Sequence, residues 1–365
     1  MSSIRRTAAV LAIVGASALV AAGCGGGKKE VTGSSATSTG NGSSQTLNGA
    51  GSTFQEPLVV KWSGDYGTTK GGAAVNYQGV GSGAGIEQFT KKTVDFGGTD
   101  APMKDDELAA ATAAGGDVLH VPIALGAVVV TYNLKGVDDL RLDGPTLAHV
   151  FEGKVKTWND PEIAKLNPGA KLPKRDIAVV HRADESGTTF VFTGYLSAAD
   201  AAWKSGPGQS KGPKWPTGTG AQGNDGVAAA VQQQDGAVGY TEIAYALQNK
   251  LHFATLQNRN GDWVKASLES TTKAGDGFTY PDDLRFSLLD SKTAGAYPIV
   301  SATWQLVWKD PSKAGQDAAK AKALQSWLKW ELGDGQALAA GLDYAPLPAD
   351  LLAKANAAVD SMQVG

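Results

Sequence analysis

Strand-like and helix-like segments alternate along most of this 365-residue chain. Residues 73–77 have the pattern of a strand and residues 86–92 that of a helix, and the same order returns at 177–181 and 188–196. Alternation of this kind is typical of α/β domains, in which helices cover the faces of open sheets. We therefore predict an α/β fold.

The body of the chain, after about the first 45 residues, is long enough to form two domains. Two long apolar runs, at 121–133 and 297–308, have the composition of strands and could carry the chain from one domain to the other and back. We predict that residues 46–124 and 303–365 form domain I, that residues 125–302 form domain II, and that two crossover strands join them.

The start of the chain has the features of an export signal. Two arginines precede an apolar run at 8–22, which is too short to cross a bilayer comfortably. The run ends in small residues directly before Cys24, the only cysteine, and this pattern resembles a bacterial lipobox, although Ala21 stands where Leu is usual. We predict a lipoprotein signal peptide at 1–23 and a lipid on Cys24 that anchors the exported protein to the outer face of the cytoplasmic membrane. An ordinary signal peptide with an incidental cysteine is the alternative.

Residues 24–45 are rich in Gly, Ser and Thr and contain too little apolar surface to fold. We predict that they form a flexible tether with an average span of about 25 Å. Such a span is enough to hold a folded body near a membrane.

The charges of the chain are nearly balanced, with 33 Lys and Arg against 36 Asp and Glu and no basic run. Nucleic acid is therefore not a predicted partner. The net charge of −3 does not attract anions either, so a site for an anion would have to be built locally.

Three glycine-rich segments precede predicted helices, at 49–57, 79–86 and 181–189. The start of a helix presents free backbone N–H groups and the positive end of the helix dipole, and both bind anions. In the first segment, Ser52 and Thr53 are candidate helix caps, so an ordinary capped helix is the alternative there.

The second segment offers the hydroxyl of Ser82 and glycines that allow a ligand to approach the backbone. Gly79, Gly81 and Ala84 also match a relaxed dinucleotide-binding fingerprint, with Asp100 at about the expected distance beyond them. This match would indicate an NAD-dependent enzyme, but it is weak by itself, and an exported protein does not meet the cytosolic nucleotide pool. No cofactor is therefore predicted.

The third segment combines a cation, a carboxylate and a helix start. Arg182 can bind an oxyanion through its fork of N–H donors, and Asp184 could hold that fork in place. Hydroxyls and N–H groups follow at the predicted helix start, from Ser186, Gly187 and Thr188. A surface Arg–Asp pair beside a helix cap is the alternative, and Glu185 is expected to point away from the anion.

Asp100 is unusual for an anion site, because a carboxylate repels anions. It becomes suitable if the anion carries a proton, since the carboxylate can accept a hydrogen bond from the O–H of phosphate. Sulfate has no proton near neutral pH, so the carboxylate would face only lone pairs in a site that excludes water. The predicted ligand is therefore phosphate. A cap for a helix beginning at Pro102 is the alternative role of Asp100.

Several strings of residues, taken together, span nearly the whole body of the chain. They are 49–54, 75–79 with Ser82, 94–102, 177–189, 214–216 with 223–226, 239–240 and 342–348. Together they resemble the phosphate-binding proteins of the bacterial high-affinity phosphate importer. The resemblance implies a type II periplasmic-binding-protein fold, with two α/β domains joined by two crossover strands and a ligand cleft between them.

The resemblance also implies which residues enclose phosphate, with Phe54 acting through its backbone N–H and Asp100 accepting the proton. They are Thr53, Phe54, Ser82, Asp100, Arg182, Ser186, Gly187 and Thr188, with Asp184 orienting Arg182. Three positions depart from the family pattern: Gly83 replaces a common second Ser, His181 an Arg found in some members, and Glu185 a frequent Gly. None of these departures removes a predicted ligand contact.

We predict a binding protein rather than an enzyme, which closes on phosphate by a hinge motion and delivers it to the permease subunits of an ABC importer. An exported phosphatase or hydrolase is the main alternative. However, Ser82 and Ser186 have no evident nearby base, the four histidines show no metal-ligand spacing, and no Gly-x-Ser-x-Gly elbow is present. A binding protein for sulfate or molybdate is the second alternative, and Asp100 argues against both ions. No catalytic residue and no metal is predicted.

Overall fold

The structure of the protein is a computed structural model, in which residues 45–69 and 71–365 are described. Cys24 and the predicted signal peptide lie outside these residues, as does the predicted tether apart from Gln45. In the described part of the chain, no helix is both long enough and apolar enough to cross a membrane.

Strands and helices alternate along the described residues, as predicted. The strands are β1 (Thr46–Gly51), β2 (Ala74–Gly79), β3 (Phe96–Thr99), β4 (Val118–Tyr132), β5 (Arg141–Leu142), β6 (Ala178–Arg182), β7 (Thr219–Ala221), β8 (Ala237–Glu242), β9 (His252–Phe253), β10 (Thr255–Gln257), β11 (Trp263–Val264) and β12 (Val300–Trp308). The α-helices are α1 (Glu56–Gly67), α2 (Ser82–Thr90), α3 (Asp105–Gly115), α4 (Gly144–Phe151), α5 (Pro161–Leu166), α6 (Gly187–Ala199), α7 (Ala201–Ser205), α8 (Gly223–Gln233), α9 (Ile243–Gln248), α10 (Leu268–Lys273), α11 (Ala318–Glu331), α12 (Asp334–Ala339) and α13 (Ala349–Asp360). Short 3₁₀ helices occur at Pro311–Ala314 and Ala340–Leu342.

Most strands of the described residues belong to one mixed sheet. Its order is β2-β1-β3-β12-β4-β8-β6-β7, and β9 pairs with the end of β4. On one flank β1 runs parallel to β2 and β3, and on the other flank β6 runs parallel to β7 and β8. A smaller sheet contains β11, β10 and β5. Parallel strands alternating with helices confirm the predicted α/β class.

The two long apolar runs form the central strands β4 and β12, which pair antiparallel. Every residue of β12 is buried, and β4 is buried from His120 onward. Because a central strand is covered on both faces, it needs a continuous apolar run rather than an alternating one. The first part of β4 pairs with β12, which also borders β3, whereas residues 128–132 pair with β8. The division of the chain into domains remains a prediction.

Parallel strands bring the glycine-rich segments of the first flank to one edge of the sheet. β1, β2 and β3 end at Gly51, Gly79 and Thr99, and Gly51 is in register with both Gly79 and Gly98. Because the carboxyl ends of parallel strands meet at the same edge, the loops that follow them lie side by side. Gly51 has a φ of +147°, and a Cβ there would lie 2.1 Å from the carbonyl oxygen of Gly98. This close approach of β1 and β3 therefore requires glycine.

The sequence pattern also predicts a strand at 93–96, and the structure places this strand differently. Strand β3 begins only at Phe96 and continues through two glycines to Thr99. Tertiary packing requires glycine in this strand, since a Cβ on Gly98 would lie 2.0 Å from the hydroxyl oxygen of Tyr77.

Candidate anion-binding site

A buried guanidinium lies at the end of β6. Arg182 is 3% exposed, and its Nε donates to Asp184 Oδ1 at 2.8 Å while its Nη2 pairs with Oδ2 of the same carboxylate. Asp184 Oδ1 also accepts a hydrogen bond from the N–H of Gly223 at 3.1 Å. This bidentate pairing fixes the plane of the guanidinium and leaves Nη1 next to Thr188 Oγ1, at 3.5 Å. Because Arg182 is buried, the alternative of a surface Arg–Asp pair is wrong.

Helix α6 begins beside this guanidinium. Its N-cap is Ser186, whose Oγ accepts a hydrogen bond from the N–H of Thr189 at 3.1 Å. The N–H groups of Gly187 and Thr188 are the first two of the helix, and helix geometry gives them no partner within it. These N–H groups and the positive end of the helix dipole favour an anion at this position.

Asp100 faces the start of α6 from the other flank of the sheet. A Cβ added to Gly187 would lie 2.5 Å from both Asp100 Oδ2 and Ser82 Oγ, so only glycine allows this approach. Ser82 is the first residue of α2, is fully buried, and accepts a hydrogen bond through Oγ from the N–H of Asp100 at 3.3 Å. Helix α3 begins at Asp105 with Lys104 as its N-cap, so the alternative role of Asp100 as a helix cap is wrong.

The Asp100 carboxylate is buried and is held by two hydroxyl groups. Ser52 Oγ donates to Oδ2 at 2.5 Å, and Thr303 Oγ1 donates to Oδ1 at 2.7 Å. Burial raises the pKa of Asp100 to about 6, while these hydrogen bonds and the positive charge of Arg182 oppose the rise. At pH 7 the carboxylate is therefore mostly ionised and accepts hydrogen bonds, and it gains a proton as the pH falls through about 6.

The loop between β1 and α1 differs from the sequence expectation. The N-cap of α1 is Gln55, so neither Ser52 nor Thr53 caps this helix. Ser52 Oγ instead accepts a hydrogen bond from the N–H of Phe54 at 2.9 Å. The backbone N–H of Phe54, which the resemblance assigns to the anion, is thus bonded to Ser52 in this structure, and the ring of Phe54 is fully buried.

Thr53 meets a residue from the other flank of the sheet. Its Oγ1 accepts hydrogen bonds from the Nδ2 and the backbone N–H of Asn224, at 2.9 and 3.2 Å. The same Nδ2 donates to Thr188 Oγ1 at 3.2 Å. One side chain therefore connects two of the predicted ligand residues, which belong to different loops.

The loops together form one buried polar region. It contains Thr53, Phe54, Ser82, Asp100, Arg182, Ser186, Gly187 and Thr188, with Asp184 behind Arg182. Glu185 is exposed, and only its carbonyl oxygen takes part in these contacts, as the acceptor of the Gly83 N–H at 2.9 Å. Cys24 lies outside the described residues.

Comparison with known proteins places the chain in a family. The family described as PBP superfamily domain matches residues 36–334. The phosphate-binding protein PstS of Xylella fastidiosa is 42% identical over 315 residues, which cover 85% of this chain and 84% of that protein. This chain belongs to the phosphate-binding protein family. A second member, the phosphate-binding protein PstS of Pasteurella multocida, is 41% identical over 317 residues, 86% of this chain and 89% of that protein.

The fold of the phosphate-binding protein family is also found among solved structures. A high-affinity periplasmic phosphate-binding protein bound with phosphate, PfluDING, superposes with a TM-score of 0.69 at 22% identity, over 86% of this chain and 93% of that chain. This similarity concerns the fold, and it confirms the predicted periplasmic-binding-protein fold.

Members of the phosphate-binding protein family are binding proteins, and this chain is not an enzyme. The two serines of the hydrolase alternative have structural partners, since Ser186 Oγ caps α6 and Ser82 Oγ bonds to a backbone N–H. Within residues 45–69 and 71–365, no group of three or more His, Cys, Asp or Glu could hold a metal ion.

Sequence reasoning missed three polar residues of the site: Ser52, Thr303 and Asn224. Ser52 was considered only as a helix cap. Thr303 lies within the apolar run of β12, but polar residues alternate there at 301, 303 and 305, which indicates one polar face. Asn224 follows Gly223 at the start of α8. A glycine therefore marks the start of this helix too, as in the segments at 49–57, 79–86 and 181–189.

Proposed function

We propose that this protein binds inorganic phosphate in the buried polar region formed by these loops and delivers it to an ABC phosphate importer. The observation that carries the proposal is a carboxylate, Asp100, in the same buried polar region as Arg182 and the start of α6. The guanidinium and the helix start supply donors for the oxygens of the anion, and the carboxylate supplies an acceptor for its proton. This combination favours a protonated oxyanion over sulfate.

We also propose that phosphate is enclosed between domain I (46–124 and 303–365) and domain II (125–302), and that binding stabilises a closed form. Contacts between residues of the two predicted domains support this mechanism. They join Gly83 N–H to the Glu185 carbonyl, Lys211 to Glu107, and Asn224 to Thr53. A ligand held from both sides would strengthen these contacts, and the permease would recognise the closed shape.

Calorimetry at pH 7 tests the proposal, with phosphate and sulfate compared on protein that has been freed of ligand by unfolding and refolding. We expect tight one-to-one binding of phosphate and much weaker binding of sulfate. If the folded protein bound neither anion, the site assignment would fail. Turnover of a chromogenic phosphate ester that is lost in a Ser82→Ala or Ser186→Ala variant would instead support a hydrolase.

Selectivity against sulfate should depend on pH through Asp100. Ionised Asp100 repels sulfate, whereas the protonated carboxyl can donate a hydrogen bond to a sulfate oxygen. Because the pKa of Asp100 is about 6, sulfate binding above this pH requires uptake of a proton. The affinity for sulfate should rise up to about tenfold per pH unit as the pH falls from 8 to 6 and level off below. Calorimetry across this range checks this, and a sulfate affinity independent of pH would contradict it.

A Lys211→Met variant should bind phosphate about five- to tenfold more weakly, mainly through faster release. Lys211 is 5% exposed and pairs with Glu107, and its carbonyl oxygen accepts a hydrogen bond from Ser186 N–H at 2.9 Å. Loss of the ammonium group removes an ion pair that joins the two predicted domains beside the ligand loop. Stopped-flow release of phosphate measures the effect. Lys214→Met is the matched control in the same loop, because Lys214 is exposed, and an equal loss in both variants would contradict the closing role.

We further propose that the protein is exported and anchored through a lipid on Cys24. The lipobox-like sequence supports the lipid anchor. The fold shared with a protein described as periplasmic supports export. A Cys24→Ala variant should move from the membrane fraction to the soluble fraction, whereas a Ser35→Ala variant should stay with the membrane. Fractionation followed by immunoblotting measures this, and unchanged membrane association of Cys24→Ala would argue for a different anchor.

A further inference from the structure

Asn224 has a partner for every polar atom of its side chain, although it is fully buried. It is the second residue of α8, and its Oδ1 accepts a hydrogen bond from the N–H of Glu242 at 3.1 Å. Because a backbone N–H can only donate, this contact sets the orientation of the amide. Nδ2 must then face the opposite way, toward Thr53 and Thr188.

The hydroxyl of Thr53 is occupied as an acceptor. A threonine hydroxyl has two lone pairs that accept and one proton that donates. Both lone pairs of Thr53 Oγ1 are directed at N–H groups of Asn224, the Nδ2 at 2.9 Å and the backbone N–H at 3.2 Å. The proton of this hydroxyl therefore points away from Asn224.

The hydroxyl of Thr188 is in the same situation. Its Oγ1 lies 3.2 Å from Asn224 Nδ2 and 3.5 Å from Arg182 Nη1, and both of these nitrogens can only donate. A hydroxyl next to two donors accepts from them, so its own proton is left to donate elsewhere. Thr188 also belongs to the start of α6, where the N–H groups of the helix favour an anion.

We propose that Asn224 is a positioning residue, which fixes the hydroxyl groups of Thr53 and Thr188 as donors to the bound phosphate. This inference rests on the proposed function. A hydroxyl that is free to rotate must be ordered when the anion binds, whereas one already held as a donor binds without that cost. Asn224 reaches Thr53 of predicted domain I and Thr188 of predicted domain II, so it orders both hydroxyls only in the closed arrangement.

A double-mutant cycle on the full chain tests this inference. Asn224→Ala should weaken phosphate binding about 10- to 100-fold, as expected when hydrogen bonds to a charged group are impaired. If Asn224 acts through the Thr53 hydroxyl, then Thr53→Val and Asn224→Ala together should cost at least about fivefold less than the product of their separate losses. Losses that simply multiply would overturn the inference.

Two comparisons separate this role from a general effect on structure. Thr53→Ser keeps the hydroxyl group. In this background, Asn224→Ala should therefore weaken phosphate binding by as much as it does in the protein with Thr53. Asn260→Ala, in the exposed turn between β10 and β11, should leave the affinity unchanged. If Asn224→Ala cost the same in the Thr53→Ser and Thr53→Val backgrounds, the positioning role would be refuted.

A measurement on the unsubstituted protein avoids any dependence on how the variants fold. In the complex with inorganic phosphate, the hydroxyl protons of Thr53 and Thr188 should be detectable by NMR and should show couplings to phosphorus across the hydrogen bonds. Hydroxyl protons directed at protein groups instead would overturn the inference while leaving the proposed function intact. Failure of the unsubstituted protein to bind phosphate at all would overturn the proposed function, and this inference with it.

Discussion

An Arg182→Ala variant should bind phosphate at least about thirtyfold more weakly than the unsubstituted protein. Removing one partner of a buried, hydrogen-bonded charge pair costs about 2–5 kcal/mol or more, and each 1.4 kcal/mol is a factor of ten in affinity. The loss should be large because Asp184 and Asp100 would remain near the anion without a compensating cation. Calorimetry with inorganic phosphate measures it.

Two further variants show whether the shape of the guanidinium matters as well as its charge. Arg182→Lys keeps the charge but loses the bidentate fork, so its affinity should lie between those of the alanine variant and the unsubstituted protein. Arg175→Ala is the matched surface control, because Arg175 is exposed and pairs with Asp235 at 3.0 Å. Arg175→Ala should bind phosphate normally.

The Arg182→Ala variant could fail to fold, because the substitution leaves the Asp184 carboxylate buried without its partner. A double variant that combines Arg182→Ala with Asp184→Asn removes both charges and should retain a cooperative thermal transition. If this folded double variant, or Arg182→Ala itself, bound phosphate within about threefold of the normal affinity, Arg182 would not be a ligand of the anion.

An Asp100→Asn variant should retain the fold and lose selectivity against sulfate. The amide of asparagine can donate a hydrogen bond to a sulfate oxygen, whereas the ionised carboxylate presents only lone pairs in a buried site. We expect sulfate to bind about thirtyfold more tightly at pH 7.5 than to the unsubstituted protein, because sulfate binding to the unsubstituted protein requires protonation of a carboxyl whose pKa is about 6. Phosphate should lose much less affinity. The ratio of the two dissociation constants at pH 7.5 is the measurement.

The same variant should also remove the dependence of sulfate binding on pH, because asparagine has no carboxyl to protonate.

The stability of the protein without ligand depends on the same carboxyl. Burial raises the pKa of Asp100 above the ordinary value, so the protonated carboxyl is favoured in the folded protein. Its contribution to stability is greatest below the unfolded pKa and is lost as the pH rises through about 6. Without phosphate, the free energy of unfolding of Asp100→Asn should therefore change less between pH 5 and 7.5 than that of the unsubstituted protein.

Asp95→Asn is the matched control for Asp100→Asn, because the two carboxylates lie at opposite ends of β3. Asp95 accepts a hydrogen bond from Asn48 N–H at 2.8 Å and pairs with Lys320 at 3.1 Å, in contacts apart from the proposed ligand site. Asp95→Asn should leave sulfate rejection unchanged. Unchanged rejection in Asp100→Asn as well would refute the role of Asp100 in sensing the proton of the ligand.

The sequence contained the part of the site that is local along the chain. Arg182, its carboxylate partner and the start of α6 lie within seven residues, so their contacts depend on one strand, one turn and one helix start. Such contacts follow from turn and cap preferences, which short-range sequence patterns express. The apolar runs of β4 and β12 likewise identified strands that are covered on both faces.

Contacts between distant segments were decided only by the tertiary structure. Thr303 holds Asp100, and Asn224 holds Thr53, because the order of strands in the sheet brings these segments together. For the same reason Ser52 bonds to Asp100 and does not cap α1. Whether a polar side chain caps a helix, orients a carboxylate or orders a hydroxyl depends on which neighbour lies within hydrogen-bond distance. Local sequence preferences specify the residue, but packing between segments far apart in the chain specifies that neighbour.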